Sequence, residues 1–353
     1  MRVDNLIDLY TDYLMVNDSS CTATGFSAVW DHEISHDKIT RLLATDVFNS
    51  KLLWHHAKPI CHETRGSDSV LIIDDSVEAK PYTQCNSLIQ WHFDHTQGRS
   101  IKGINFVTAL YYSNEVSVPV GVEFVHKDLE VIDKKGKKKL KSKISKNEMF
   151  RSLVDHGVFN TGADYVLSDT WFSSAENMRF IVKECRSNFV MAIKENRKVA
   201  LSLKDKEEGQ YVNIKSIKLE ECALPVYFEQ LDFPVLLTKQ VFKDGDGVAG
   251  TLYLASSDLN LSYERVTTIY KKRWKVEEYH KSIKSNISFA KSPAKKAKNQ
   301  QAHCTASILA FIKMERLKLR NNKNHFALRQ IMKISATKAA LKTYQQLWNP
   351  KAA

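Results

Sequence analysis

Hydrophobic positions recur along the chain in three textures. Over the first 65 residues Leu6, Leu9, Tyr10, Tyr13 and Leu14 return at three- and four-residue intervals, the period of one helix face. A second helix is expected after Ser35, a residue type suited to an N-cap, with Ile39, Leu42 and Leu43 on its apolar side. From residue 70 the texture changes to short continuous apolar runs, which suit strands covered on both faces. Val70-Leu71-Ile72-Ile73 is one such run, and it ends in Asp74-Asp75-Ser76. Ile104 to Tyr112 and Val116 to Val125 are two more strands across a turn-like Ser113-Asn114-Glu115. Glu148 to His156 reads as helix, and Tyr165-Val166-Leu167 as a buried strand ending in Ser168-Asp169-Thr170. A helix capped by Ser173 or Ser174 runs to about Cys185, and Phe189 to Ile193 is a fifth strand. Three adjacent strands followed by alternating helix and strand predict a mixed α/β sheet.

Residues 196–257 break that rhythm with short β-like pieces such as Tyr211 to Ile214, Val226 to Phe228 and Val235 to Leu237. The turn Asp244-Gly245-Asp246-Gly247 precedes another strand-like run, Gly250 to Ala255. From about Leu261 the chain is helical again. The expected organisation is a helical region over 1–65, the first part of a core over 66–195 and a β-rich insertion over 196–257. A final core helix follows over 258–304, then a helical region over 305–353. The first region is either a DNA-binding module or a helical layer against the core, and its pattern does not separate the two.

Charge narrows the function. Lys and Arg number 52 against 40 Asp and Glu, a formal +12, which predicts attraction to a polyanion. No stretch approaches the roughly 20 apolar residues that span a bilayer, and the N-terminus lacks the apolar run of a signal peptide. A membrane partner is therefore not expected, and a cytoplasmic location is. Six scattered cysteines with no CxxC pair read as reduced thiols. Two lysine-rich runs stand out: Lys134 to Lys146, with Lys137, Lys138, Lys139 and Lys141 at its centre, and Lys291 to Lys298. Such runs are usually solvated loops, yet a nearby phosphate backbone accounts for the charge itself.

Candidate chemistry comes from three acids. Asp75 and Asp169 lie just past the ends of buried strands, where ligands gather in open α/β sheets. Glu277 lies in a helical stretch, 261–286. At roughly 100° per residue, with Tyr270 as zero, Arg273 falls near 300°, Glu277 near 340° and Lys284 near 320°. Ile269, Val276, Tyr279 and Ile283 occupy the opposite, core-facing side. Taken alone, the polar stripe describes a solvated helix face. Taken with the aspartates, three hard oxygen donors would repel one another unless cations joined them, and they suit Mg²⁺ or Mn²⁺.

The spacing Tyr270-(2)-Arg273-(3)-Glu277-(6)-Lys284 resembles the Y-(2)-R-(3)-E-(6)-K signature of the DDE transposases of bacterial cut-and-paste insertion sequences. Ile73-Asp74-Asp75-Ser76 resembles that family's first-aspartate motif, with Asp75 at the catalytic position and Ser76 where Thr is common. Leu167-Ser168-Asp169 resembles the second, and the stretch Trp91-His92-Phe93-Asp94-His95 through Lys102-Gly103-Ile104-Asn105 is also similar to family members. The resemblance covers about residues 65–315. It implies an RNase H-like core, with the 108 residues from Asp169 to Glu277 holding the family's β-rich insertion.

For chemistry, the resemblance implies two Mg²⁺ ions (or Mn²⁺) held by Asp75, Asp169 and Glu277. It also implies cleavage of transposon ends through a hairpin, followed by attack of the 3′-OH on target DNA. Tyr270, Arg273 and Lys284 would grip phosphates, and Tyr253 or Trp274 would stack on a flipped base. The implied partners are double-stranded DNA, both terminal inverted repeats and target, and a second copy of the chain. The implied location is the bacterial nucleoid. A metal nuclease that cuts without joining, and a non-catalytic DNA-binding protein, remain alternatives.

Overall fold

The structure, a computed structural model, describes residues 2–94, 98–132, 136–244 and 247–348. His95, Lys134, Lys135, Gly245 and Asp246, all named in the sequence patterns, lie outside the described residues. In chain order the elements begin with helices α1 (Val3–Val16), α2 (Ala23–Val29), α3 (His36–Leu43) and α4 (Ser50–Glu63). Strands β1 (Val70–Ala79), β2 (Ile89–Asp94), β3 (Arg99–Ser113), β4 (Val116–Phe124), β5 (Leu129–Ile132) and β6 (Lys138–Lys141) come next. They lead into α5 (Lys146–Thr161), β7 (Tyr165–Ser168), α6 (Ala175–Arg179) and β8 (Asn188–Ile193). The insertion holds β9 (Lys198–Val199), α7 (Leu203–Glu207), β10 (Val212–Asn213), β11 (Ala223–Val226), β12 (Val235–Asp244) and β13 (Gly247–Ser256). Helices α8 (Tyr263–Lys271), α9 (Lys275–Asn286), α10 (Ala297–Asn321) and α11 (His325–Trp348) complete the chain.

These elements form two compact units, one of Met1–His56, Val77–Ile104 and Tyr279–Ala353, the other of Ala57–Ser76 and Asn105–Glu278. In the second unit the strands run in the order β11-β12-β13-β8-β7-β1-β3, and β4 pairs with β3. Strands β1, β7 and β8 are parallel, with Ile72 opposite Leu167 and Leu167 opposite Val190. Val70 to Ile73 are fully buried, as the continuous apolar run requires of a strand covered on both faces. The five core strands thus stand in the order third, second, first, fourth, fifth, the mixed sheet of the expected RNase H-like core.

Helix α5 lies close on this sheet because Gly157 has no side chain. A Cβ there would sit 2.6 Å from Leu71 Cδ2. Its start is fixed by a capping box between Ser145 and Glu148, and its end by Gly162 in the left-handed region at φ 61°. The β-rich stretch 196–257 is joined to the core sheet. Tyr253 to Ser256 of β13 pair antiparallel with Ile193 to Val190 of β8, so β11–β13 continue the main sheet. The physical reason is that β8 would otherwise present an edge of unpaired backbone groups.

In the first unit the N-terminal helices pack against the C-terminal ones. Helix α1 contacts α10 and α11, and Tyr10 Oη lies 2.9 Å from Nδ1 of the buried His303, whose Nε2 lies 2.9 Å from the Ser288 carbonyl. Lys313 pairs with Asp8 at 2.6 Å and Asp12 at 2.7 Å, and Arg329 pairs with Asp18. Strand β2 pairs antiparallel with the start of β3, from Ile89 opposite Ile104 to Asp94 opposite Arg99. Gly103 is required in that ribbon, since a Cβ would stand 2.1 Å from the Glu78 carbonyl oxygen. No helix among the described residues is long and apolar enough to cross a membrane.

Candidate active site

The parallel register of β1 and β7 brings the aspartates together. Val70, Leu71 and Ile72 face Tyr165, Val166 and Leu167. Two residues further along stand Asp74 and Asp169; Asp169 lies just past β7 as expected, whereas β1 does not end at its aspartates but runs on to Ala79, so Asp74 and Asp75 lie in mid-strand. Successive strand residues point to opposite faces, so Asp74 and Asp75 take different surroundings. Asp74 is 9% exposed, and its carboxylate offers an oxygen within 4.8 Å of one from Glu277. The Arg273 guanidinium stands between them, with Nη1 4.0 Å from Asp74 Oδ2 and 3.5 Å from Glu277 Oε1. Asp75 instead meets the Lys146 ammonium at the first turn of α5, 2.5 Å from its Oδ2.

Negative charge is under-compensated here. Burial pushes the Asp74 carboxyl well above the usual carboxylate range; Asp169, Glu277 and Asp75 raise it further, against the opposing effect of Arg273. Asp169 is raised as well, first by burial and then by Asp75, although the Trp171 amide donates to its Oδ1 at 3.0 Å. Groups that resist ionising because burial, and then neighbouring acids, disfavour their charge are groups whose charge a cation would stabilise. The carboxylate oxygens of Asp74, Asp169 and Glu277 are hard donors of the kind that suits Mg²⁺ or Mn²⁺.

The stretch 261–286 is not one continuous α-helix. Residues Lys272–Trp274 form a 3₁₀ turn between α8 and α9. At roughly 120° per residue instead of 100°, three such residues rotate α9 relative to α8 by about 60°. Arg273 and Glu277 nevertheless stay in contact across the turn. Tyr270 is 8% exposed, and its hydroxyl donates to the Ser168 carbonyl at 3.4 Å, beside Asp169. Burial raises its phenol above the ordinary range. Lys284 lies further along α9, where its ammonium donates to the Val77 carbonyl at 3.0 Å and stands 3.5 Å from Glu78 Oε2.

The aromatic candidates differ in exposure. Trp274 is 62% exposed, beside a cleft of about 820 Å³ that is also lined by Phe242, Tyr270, Lys271, Arg273 and Lys275. Tyr253 is 5% exposed and lines a recess of about 420 Å³ with Thr170 and Lys194. Lys138, Lys139 and Lys141 are exposed on the β5–β6 hairpin, with Lys137 just before it, so part of the first lysine run is a strand and not a loop. Sequence reasoning passed over Asp74 as a member of the acid cluster, and Lys146 as the counter-ion of Asp75. A doubled acid directly after a buried apolar run is the signal for Asp74.

A mixed RNase H-like sheet with acids on adjacent parallel strands, beside a third acid on α9 and an arginine in the turn before it, defines a phosphoryl-transfer enzyme of the DNA-cutting type. A family model described as DDE superfamily endonuclease matches residues 2–209, and one described as transposase DDE domain matches residues 139–312. The first match covers more than half of the chain, which belongs to the DDE superfamily of endonucleases and is a DDE transposase, an enzyme that cleaves and joins DNA. Comparison with curated proteins gives no match.

Proposed function

We propose that the protein excises a DNA element by cutting both strands at its terminal inverted repeats, and inserts it by strand transfer. Asp75, Asp169 and Glu277 would hold two Mg²⁺ ions, with Asp74 adjoining them. The ions would activate the attacking oxygen and stabilise the leaving oxygen of a phosphodiester. The observation that carries this reading is the crowding of Asp74, Asp169 and Glu277 around Arg273, which leaves negative charge for divalent ions to offset.

The protein's own groups act on the DNA around that centre. Arg273 and Tyr270 would orient the scissile phosphate, Arg273 through bidentate contact, and Lys284 would hold a neighbouring phosphate. Trp274, exposed at the basic cleft, and Tyr253 are proposed to stack on a base displaced while the freed 3′-OH attacks the opposite strand to form a hairpin. Lys137, Lys138, Lys139 and Lys141 would contact the backbone outside the cut site. Two copies would pair the two ends in a cytoplasmic, nucleoid-bound complex.

The test is product analysis on element-end DNA with Mg²⁺. Hairpin and strand-transfer products are expected from the wild type, and neither from Asp169→Asn or Glu277→Gln. Nicks without joined products would reduce the reading to a metal nuclease. Full cleavage by the amide variants would overturn it.

A further inference from the structure

The acid cluster needs cations to balance it before any divalent ion arrives. Arg273 faces Asp74 and Glu277. Asp75 has a different cation, Lys146, whose Nζ lies 2.5 Å from Oδ2, with both side chains about three-quarters buried. Lys146 is held to this task by its surroundings. It sits in the first turn of α5, where the Ser145–Glu148 capping box fixes the helix start. Its ammonium also lies 5.9 Å from the ring centre of Trp171, two residues beyond Asp169. Lys146 therefore bridges from Asp75 in β1 to Trp171, just beyond the aspartate that follows β7.

We infer that Lys146 is a built-in counter-cation that occupies Asp75 in the metal-free enzyme and must be displaced for a divalent ion to bind. It is a positioning residue and not a member of the catalytic set. The physics is direct competition. An ammonium and a divalent ion cannot both use the same carboxylate oxygen at bonding distance, so the metal's apparent affinity is lowered by whatever the ion pair contributes. A largely but incompletely buried pair is screened by water, which sets the expected effect at about three- to tenfold in metal affinity. The inference rests on the proposed metal site and adds to it a gate on ion entry, with the sign opposite to that of a supporting residue. Loss of Lys146 should make metal bind more tightly.

The measurement is calorimetric titration of the full-length protein with Mn²⁺, without DNA, for wild type, Lys146→Met, Lys146→Arg and Asp75→Asn, each checked by circular dichroism for retained fold. Lys146→Met should bind Mn²⁺ about three- to tenfold more tightly than wild type, Lys146→Arg about equally, and Asp75→Asn more weakly. Equal or weaker binding by a folded Lys146→Met variant, with Asp75→Asn still impaired, overturns the inference and leaves the metal site standing. Wild-type protein that binds no Mn²⁺, or binding indifferent to Asp75→Asn, overturns both. Lys146→Arg guards against a misfolded Met variant: if the guanidinium restores wild-type affinity, a cation at this position, and not helix packing, sets the value.

Discussion

Asp74 and Asp75 are neighbours in sequence and differ in every physical respect. One is buried between Asp169, Glu277 and Arg273; the other is turned to Lys146. An acid after the apolar run is legible from Ile73-Asp74-Asp75 alone, although the strand runs on to Ala79. Which oxygen faces the helix acid depends on pleat and register, and these are fixed only once β1 pairs with β7. The amide substitutions separate the roles. Asp169→Asn and Glu277→Gln should lower Mg²⁺-dependent cleavage by at least about a hundredfold, with DNA binding by gel shift largely kept. Asp75→Asn should match them, as the third proposed ligand. Asp74→Asn, which alters a neighbour of the ligands, should cost less, and an equal loss would bring Asp74 into the ligand set.

The secondary-structure elements follow the hydrophobic pattern closely where one face is fully covered. Val70 to Ile73, Tyr165 to Leu167 and Phe189 to Ile193 all become buried parallel strands. The pattern fails where local charge or a tightened turn decides. Dense lysine spacing reads as loop, yet Lys138 to Lys141 pair residue by residue with Ile132 to Leu129. The alternation Lys139-Leu140-Lys141 against Val131-Glu130-Leu129 was the overlooked strand signal. Likewise, nothing in Lys271-Lys272-Arg273-Trp274 announces a 3₁₀ turn. Replacing Lys138, Lys139 and Lys141 together with Gln should weaken DNA binding and flatten its dependence on salt, by about 0.9 in log–log slope for each phosphate no longer neutralised. Unchanged slope in a filter-binding salt series would remove the hairpin from the interface. Gly103→Ala should cost about 1–3 kcal/mol in denaturant unfolding, because the added methyl meets backbone at Glu78, which cannot swing aside.

Over the whole molecule, the sequence texture separates core from flanks but cannot say which flanks pack together. Residues 3–18 and 297–348 are distant in the chain, and their joining through Tyr10–His303, Asp8–Lys313 and Asp18–Arg329 carries no short-range signal. That joint carries a pH dependence. Burial depresses His303 to about 4, from an ordinary 6.5, so it is neutral when folded and takes up a proton more readily when unfolded. Its contribution is complete above pH 6.5 and is lost as pH falls toward 4, by roughly 3 kcal/mol in all. Thermal melts across that window should show a steep fall in Tm, and His303→Gln should flatten it.

Because Arg273 and Lys146 already sit against the acids, the centre brings its own ballast. Chelator-treated protein should therefore melt within a degree or two of untreated protein while losing all cutting activity, unlike small domains that unfold when their ion is stripped. Such an enzyme would rest inert and fully folded until a divalent cation is supplied.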